Sequence, residues 1–299
     1  MQVLVTGASS FIGRHVTLAM SRAGLGVTAT YRSLEPIIEH LKDAVPDANL
    51  VRLDLARESD FLALPRKIDH IVHVAGVSAG PGIGVDDMLA CNVTGARNLL
   101  NYARNAGASR LVLASTLSVH GDVEEPVVDE ITPVRAPDVY GASKYLAERL
   151  FAAEAHWLPG AAIRLPGVLG EGAHRAWIPT LLDRMRKNQD ITVYNPDAMF
   201  NNAAHVSDIC RLILNLLRHQ WSGFHAFPVG ADGQMTIAEL ARILLSSTGS
   251  RSRLSEGRAL KAPFTISSRY AVEKFGYAPM NIEAMLSRYV SETDQISAK

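Results

Sequence analysis

The chain has 299 residues, 47% of them hydrophobic, enough to bury a large core as one α/β domain or as such a domain with a smaller lobe. Thirty basic and thirty acidic residues cancel without a run of either sign, which gives no support for a nucleic-acid partner or an acidic membrane surface. Cys91 and Cys210 stand far apart without metal-ligand or disulfide spacing, so no metal is expected and each reads as a small buried residue.

Gln2 to Thr6 reads as a short buried strand with no basic leader before it. No apolar run is long enough to span a bilayer, and a soluble cytoplasmic protein is the expectation. A helical pattern follows to about Ala23, then strands at Val27–Tyr31, Leu50–Leu53 and Ile68–Val74. A long helix spans about Val85 to Ala106, and Arg110–Ala114 is a fifth strand. A helix through Tyr140 and Lys144 runs to about Ala155, and Ala161–Leu165 is the sixth strand. Short apolar strands alternating with helices imply parallel strands joined by helical crossovers, a Rossmann-like doubly wound α/β sheet.

Beyond Pro166 the rhythm loosens into glycine-containing loops and further helices near 178–187, after Ser207, and near 237–248 and 282–291. The expected organisation is a dinucleotide-binding domain over 1–165 and a mixed, smaller substrate-binding lobe over 166–299. Part of that lobe, about 203–230, is expected to return to the main sheet.

Ligands of such a sheet lie at the carboxyl ends of its strands. Here Gly7–Gly13, Asp54-Leu55, Ala75-Gly76 and Ser115-Thr116 each break directly after a strand. Gly7 and Gly13 flank a strand-to-helix turn where backbone can approach a pyrophosphate and the helix N-terminus offers N–H groups. Ser10 stands where a third glycine is usual and adds a hydroxyl. Tyr140 and Lys144, four residues apart, share one helix face. An ammonium beside the phenol would favour the phenolate and lower the tyrosine's pKa, giving a proton donor and acceptor.

These motifs together resemble those of the extended short-chain dehydrogenase/reductases, the NAD-dependent epimerase/dehydratase family. The resemblance runs nearly end to end. Thr6-Gly7-Ala8-Ser9-Ser10-Phe11-Ile12-Gly13 is similar to the family's glycine motif, with Ser10 as the departure. Asp54-Leu55 is similar to the adenine-holding pair, and Val74-Ala75-Gly76 to the motif after the fourth strand. Asn92-Val93-Thr94-Gly95 to Leu99 resembles the long helix with its structural asparagine. Ser115 to Gly121 resembles Ser-Ser-x-x-Val-Tyr-Gly, with His120 in place of tyrosine. Tyr140 to Lys144 resembles Tyr-x-x-x-Lys, and Arg164 to Gly170 the stretch beside the nicotinamide and substrate.

The resemblance implies catalysis by Thr116, Tyr140 and Lys144. It implies cofactor contacts from Gly7, Ser9, Ser10, Phe11, Ile12, Gly13, Arg32, Asp54, Leu55, Val74, Ala75, Gly76, Asn92, Tyr140, Lys144, Pro166 and Val168. Ser78, Thr116, His120, Gly167 and Arg175 become the expected substrate contacts. No carboxylate precedes Glu35 after the second strand, and Arg32 there suits a 2′-phosphate, with Arg14 able to help. NADP(H) is therefore favoured over NAD(H), and a one-way ketoreduction over epimerisation.

A dehydratase usually carries Asp-Glu after the catalytic Thr, where this chain has Leu117-Ser118. Family members mostly act on nucleotide sugars, which makes a nucleotide-sugar 4-ketoreductase the leading expectation and an NAD-retaining 4-epimerase the alternative. A dinucleotide-binding sensor or scaffold without chemistry is the reading from another class. The arginine that pairs the substrate's diphosphate is replaced by Asn201, with Arg175, Arg258 and Lys261 as candidate substitutes. His205 and Asp208 read as structural. A homodimer through the helices at 85–106 and 139–155 is also implied, although core packing explains their apolar positions equally well.

Overall fold

The computed structural model describes residues 1–33, 36–257 and 261–297. The chain divides into two compact units. The first comprises Met1–Asp122, Pro133–Arg164 and Cys210–Phe227; the second comprises Val123–Thr132, Leu165–Ile209 and Pro228–Lys299. In place of one boundary at 165, the sequence passes from one unit to the other several times.

The first unit begins with β1 (Gln2–Thr6), α1 (Phe11–Arg22), β2 (Gly26–Tyr31), α2 (Pro36–Ala44), β3 (Asn49–Arg52) and β4 (His70–His73). α3 (Val85–Leu89) runs through a π-helical turn at Ala90–Thr94 into α4 (Gly95–Ala106), followed by β5 (Arg110–Thr116) and α5 (Val139–Ala153). With the strands Gly160–Leu165 and Phe224–Pro228 these form a seven-stranded sheet. Its order is Phe224–Pro228, Gly160–Leu165, β5, β4, β1, β2, β3. β1 pairs in parallel with β2 on one side and β4 on the other, in register Thr6 with Thr30 and Thr6 with His73. The strand order reverses across β1 and β4, so their carboxyl ends form the topological switch point of the sheet. Gly7 and Val74 stand there.

Leu4, Ile71, Leu99, Leu111, Leu113 and Phe151 are buried together and seal α4 and α5 to the sheet. A buried leucine or phenylalanine side chain contributes about 1.5–3 kcal/mol relative to exposure, which is why these apolar strands bury both faces. The long helix expected over 85–106 is interrupted by the π turn, which inserts an extra residue at Asn92.

The second unit has its own core, in which Leu169, Leu182, Met185, Leu240, Leu244 and Leu286 pack together. Short parallel pairs organise it: Ala203–His205 with Gly167–Leu169, Leu254–Gly257 with Ile191–Tyr194, and Thr265–Ile266 with Val127–Val128. Of the stretch 203–230, Phe224–Pro228 is the outer strand of the main sheet, whereas Ala203–His205 pairs only within the second unit. No helix among the described residues is long and apolar enough to cross a membrane.

Candidate active site

The glycine turn after β1 is built by backbone crowding. Gly7 has φ +77°, and a Cβ there would lie 2.8 Å from the Ala75 backbone, while one at Gly13 would lie 2.0 Å from the Gly7 carbonyl oxygen. These contacts require glycine before any ligand is considered. They also press the start of α1 against the ends of β1 and β4, where its first-turn N–H groups suit an anion. Ser10 caps α1: its hydroxyl accepts from Gly13 N at 3.1 Å and donates to Gly7 O at 2.8 Å. The hydroxyl that Ser10 adds is thus also engaged within the turn.

Thr6, at the end of β1, links the two central strands. Its hydroxyl oxygen accepts from Ala75 N at 3.2 Å and lies 2.8 Å from His73 Nδ1. Burial, and then the charge of Lys144, push His73 down to about 3.

Arg32 follows β2 and is exposed, its carbonyl accepting from Arg52 Nε at 3.2 Å. Arg14 stacks on the Phe11 ring at 5.9 Å. Asp54 caps its own turn by accepting from Ala56 N, and Leu55 is buried, its carbonyl held by Asn98. Glu35, the first carboxylate after β2, lies outside the described residues, as does Arg258.

Asn92, in the π turn, orders the segment after Val74-Ala75-Gly76. Its Oδ1 accepts from Val77 N, and its Nδ2 donates to Val77 O, both at 2.8 Å. The same Nδ2 lies 2.9 Å from Ser143 Oγ, which donates to Tyr140 O. A Cβ on exposed Gly76 would stand 3.3 Å from Asn92 Oδ1 and 3.5 Å from Lys144 Nζ, so this loop passes directly over the lysine. Ser78 is half-buried two residues further on.

Tyr140 sits in the first turn of α5, capped by Asp138, whose carboxylate accepts from Gly141 N at 2.7 Å. A Cβ at Gly141 would lie 2.1 Å from Ser118 O. Glycine therefore lets α5 rest on the 3₁₀ turn at Leu117–His120 that Thr116 caps through Ser118 N. That contact places Tyr140 close enough to Thr116 for the threonine hydroxyl to act on the phenol. Burial raises the Tyr140 phenol, the Thr116 hydrogen bond lowers it to a lesser degree, and Asp138 raises it. The direction expected from the Tyr-Lys spacing is reversed: in this chain the phenol is held protonated. Lys144 is 3% exposed, and burial pulls it down to about 8 against Cys91 and Glu148, whose ionised forms would favour the cation.

His120 corrects another expectation. It is fully buried, with Nε2 3.4 Å from Arg164 Nη1 and Nδ1 3.3 Å from Pro133 O, so both ring nitrogens are engaged within the core. Sequence reading also passed over Glu148, which accepts from Ser115 Oγ at 2.5 Å and pairs with Arg164 at 2.8 Å. A carboxylate one turn beyond Lys144 on the buried face of the same helix was the available signal.

Within the second unit Pro166, Gly167 and Val168 lead into the pairing with Ala203–His205; Val168 is buried, and Arg175 is exposed. Asn201 is buried, with Oδ1 accepting from Ile266 N at 2.7 Å and Nδ2 donating to Ile266 O at 2.8 Å. It is a clamp on that strand. Asn202 donates to Phe264 O, and its Oδ1 is buried without a partner among the described residues. His205 donates to Glu292, and Asp208 accepts from Met280 N, both internal to this unit. No group of three or more His, Cys, Asp or Glu side chains among the described residues is arranged to hold a metal.

The chain is 26% identical over 282 residues to the dTDP-4-dehydro-6-deoxy-D-allose reductase of Streptomyces bikiniensis, covering 87% of this chain and 86% of that one. It is 30% identical over 176 residues to the UDP-glucose 4-epimerase of Azospirillum brasilense, covering 56% and 49%. Among solved structures, MoeE5 in complex with UDP-glucose and NAD superposes with a TM-score of 0.80 at 24% identity, over 99% of this chain and 100% of that one. The profile of the NAD dependent epimerase/dehydratase family matches residues 3–230, and the chain belongs to that family.

Proposed function

We propose that this enzyme, an NAD(P)-dependent oxidoreductase or epimerase by its family, acts on a nucleotide sugar and reduces a 4-keto group, with NADPH as the preferred cofactor. The observation that carries the reading is the placement of Tyr140 beside Thr116 at the end of β5, with buried Lys144 one helical turn further along α5.

The glycine turn and the α1 N-terminus fit a pyrophosphate, and the exposed Gly76 loop beside Lys144 fits a nicotinamide ribose. Ser9, Phe11, Ile12, Asp54, Leu55, Val74, Ala75, Asn92, Pro166 and Val168 are proposed to complete the cofactor contacts. Ser78, Gly167 and Arg175 are proposed on the substrate side. When bound, the reduced cofactor supplies a hydride to the carbonyl carbon.

The chain's own part is the proton. Thr116 donates a hydrogen bond to the carbonyl oxygen and holds it beside the Tyr140 hydroxyl. Tyr140, held protonated by its burial, gives its proton to that oxygen as negative charge develops there. Lys144, cationic at neutral pH, then stabilises the phenolate until solvent returns a proton.

Similarity to a dehydro-sugar reductase and to a 4-epimerase supports the substrate class, as does the UDP-glucose complex of the structural neighbour. Arg32 supports NADP(H); the NAD in the MoeE5 complex supports the second reading, an epimerase retaining NAD. With Asn201 engaged as a clamp, Arg175 is the proposed diphosphate partner.

Cofactor released from the purified protein separates the readings: tightly retained NAD would sink the reductase. Arg32→Ala should raise the NADPH KM at least ~10-fold and leave the NADH value nearly unchanged. Tyr140→Phe should cut turnover of a 4-keto sugar nucleotide by ~10²–10⁴ with dinucleotide binding retained. Exposed apolar Leu89 on α3 and Leu146 on α5 support a homodimer, which light scattering would test. The free cysteines Cys91 and Cys210 fit a reducing, cytoplasmic setting.

A further inference from the structure

The first unit buries an ion pair that the proposed chemistry does not use. Glu148 and Arg164 have side chains 2% and 7% exposed. The carboxylate accepts from Arg164 Nε at 3.2 Å and Nη2 at 2.8 Å, and from Ser115 Oγ at 2.5 Å. Each donor comes from a different element: Arg164 from the strand Gly160–Leu165, and Ser115 from β5, one residue before Thr116. Arg164 reaches further, to His120 in the turn that Thr116 caps. A single carboxylate on α5 is therefore tied to both sides of the turn that follows Thr116.

Glu148 also stands one helical turn from Lys144, and Tyr140 one turn before that, all three on one face of α5. We propose that Glu148 is a positioning residue of the active site: it fixes the Tyr140–Lys144 face of α5 against the end of β5 and supplies the counter-charge that favours the Lys144 ammonium. This rests on the proposed role of Lys144, but its test does not require turnover.

The groups facing Lys144 are few. From β4 comes His73, neutral because burial pushes it to about 3. From the π turn comes Cys91, whose thiol burial pushes up. Helix α5 itself presents Tyr140, which burial keeps protonated, and Glu148. Glu148 is the carboxylate in this set, one helical turn from Lys144 on the same face of α5. The isolated burial of a lysine favours its neutral form, and an adjacent carboxylate opposes that.

The test is the titration of Lys144 itself, read from the ¹³Cε chemical shift in lysine-labelled protein and assigned by the signal missing from Lys144→Met. In the wild type the midpoint should lie near 8. In Glu148→Gln it should fall by roughly 1 pH unit. Because that variant leaves Arg164 unpaired and can fail to fold, Glu148→Gln/Arg164→Gln is measured alongside, its two amides able to bond each other. Glu148→Asp, which disturbs packing but keeps the charge, should restore the midpoint towards the wild type. Glu273→Gln, which removes an exposed ion pair with Arg269 on another helix, should leave it unchanged.

A midpoint that stays in place or rises in folded Glu148→Gln or the double variant would overturn the proposal. So would a Glu148→Asp midpoint as low as that of Glu148→Gln, since packing alone would then explain the shift. Failure of the cofactor reading shows itself separately, as wild-type protein that binds neither NADH nor NADPH in a fluorescence titration.

Discussion

Replacing Lys144 by methionine should make the protein more stable at neutral pH while disabling it. The ammonium is 3% exposed, and burial pulls its pKa from the ordinary 10.5 to about 8. That difference corresponds to about 3 kcal/mol of destabilisation by the charged form. Below pH 8 the lysine is protonated in both folded and unfolded chains, so the whole penalty is present. Between about 8 and 10.5 the unfolded chain binds a proton that the folded chain has lost, and stability rises with pH as the penalty is relieved. Methionine has similar length and no charge, and places a flexible apolar chain in the same space. Urea unfolding of both proteins at pH 7 and pH 10 tests this. Lys144→Met should exceed the wild type by ~2–3 kcal/mol at pH 7, with most of that gap gone by pH 10. If the variant is less stable at pH 7, or the gap does not narrow with pH, the lysine is not held at a cost by burial.

Gly141→Ala must widen the gap to Ser118 O from 2.1 Å to at least 3.0 Å. Displacing the Tyr140 turn from Thr116 by about 1 Å should lower turnover ~10²-fold. NADH or NADPH binding should change far less, which fluorescence and steady-state kinetics would show together. His73 is neutral in the folded chain because burial pushes it from 6.5 to about 3. The unfolded chain therefore takes up a proton as pH falls below 6.5, and stability is lost progressively down to about 3. In His73→Gln, unfolding free energies measured between pH 4 and 6 should show a shallower acid slope. Asn201→Ala strands the buried N–H and C=O of Ile266 and should lower stability by ~2–4 kcal/mol in denaturant melts. An unchanged midpoint would mean that Asn201 is not a clamp.

Much of the first unit was legible because its strands bury both faces and therefore read as continuous apolar runs, each ended by a glycine or polar break. β1, β2, β3 and β5 fall within two residues of the expected limits, and Gly7 and Gly13 stand where backbone crowding demands them. The second unit was less legible. Two- and three-residue strands such as Val127–Val128 and Ala203–His205 are too short to show a period, and their pairing partners lie far along the chain.

Within the candidate site, the sequence by itself determined the order of the motifs and the one-turn spacing of Tyr140 and Lys144, since helix geometry follows from residue count. Only the tertiary structure decided their electrostatics. Whether Tyr140 is lowered by Lys144 or raised by burial depends on how far each is removed from water, and burial prevails for both groups. Likewise, His120 and Asn201 have side chains suited to a ligand, yet the fold buries them against Arg164 and Ile266, where core hydrogen bonds engage the same polar atoms. A residue's chemistry is written in its type, but what that chemistry is applied to depends on contacts that sequence separation conceals.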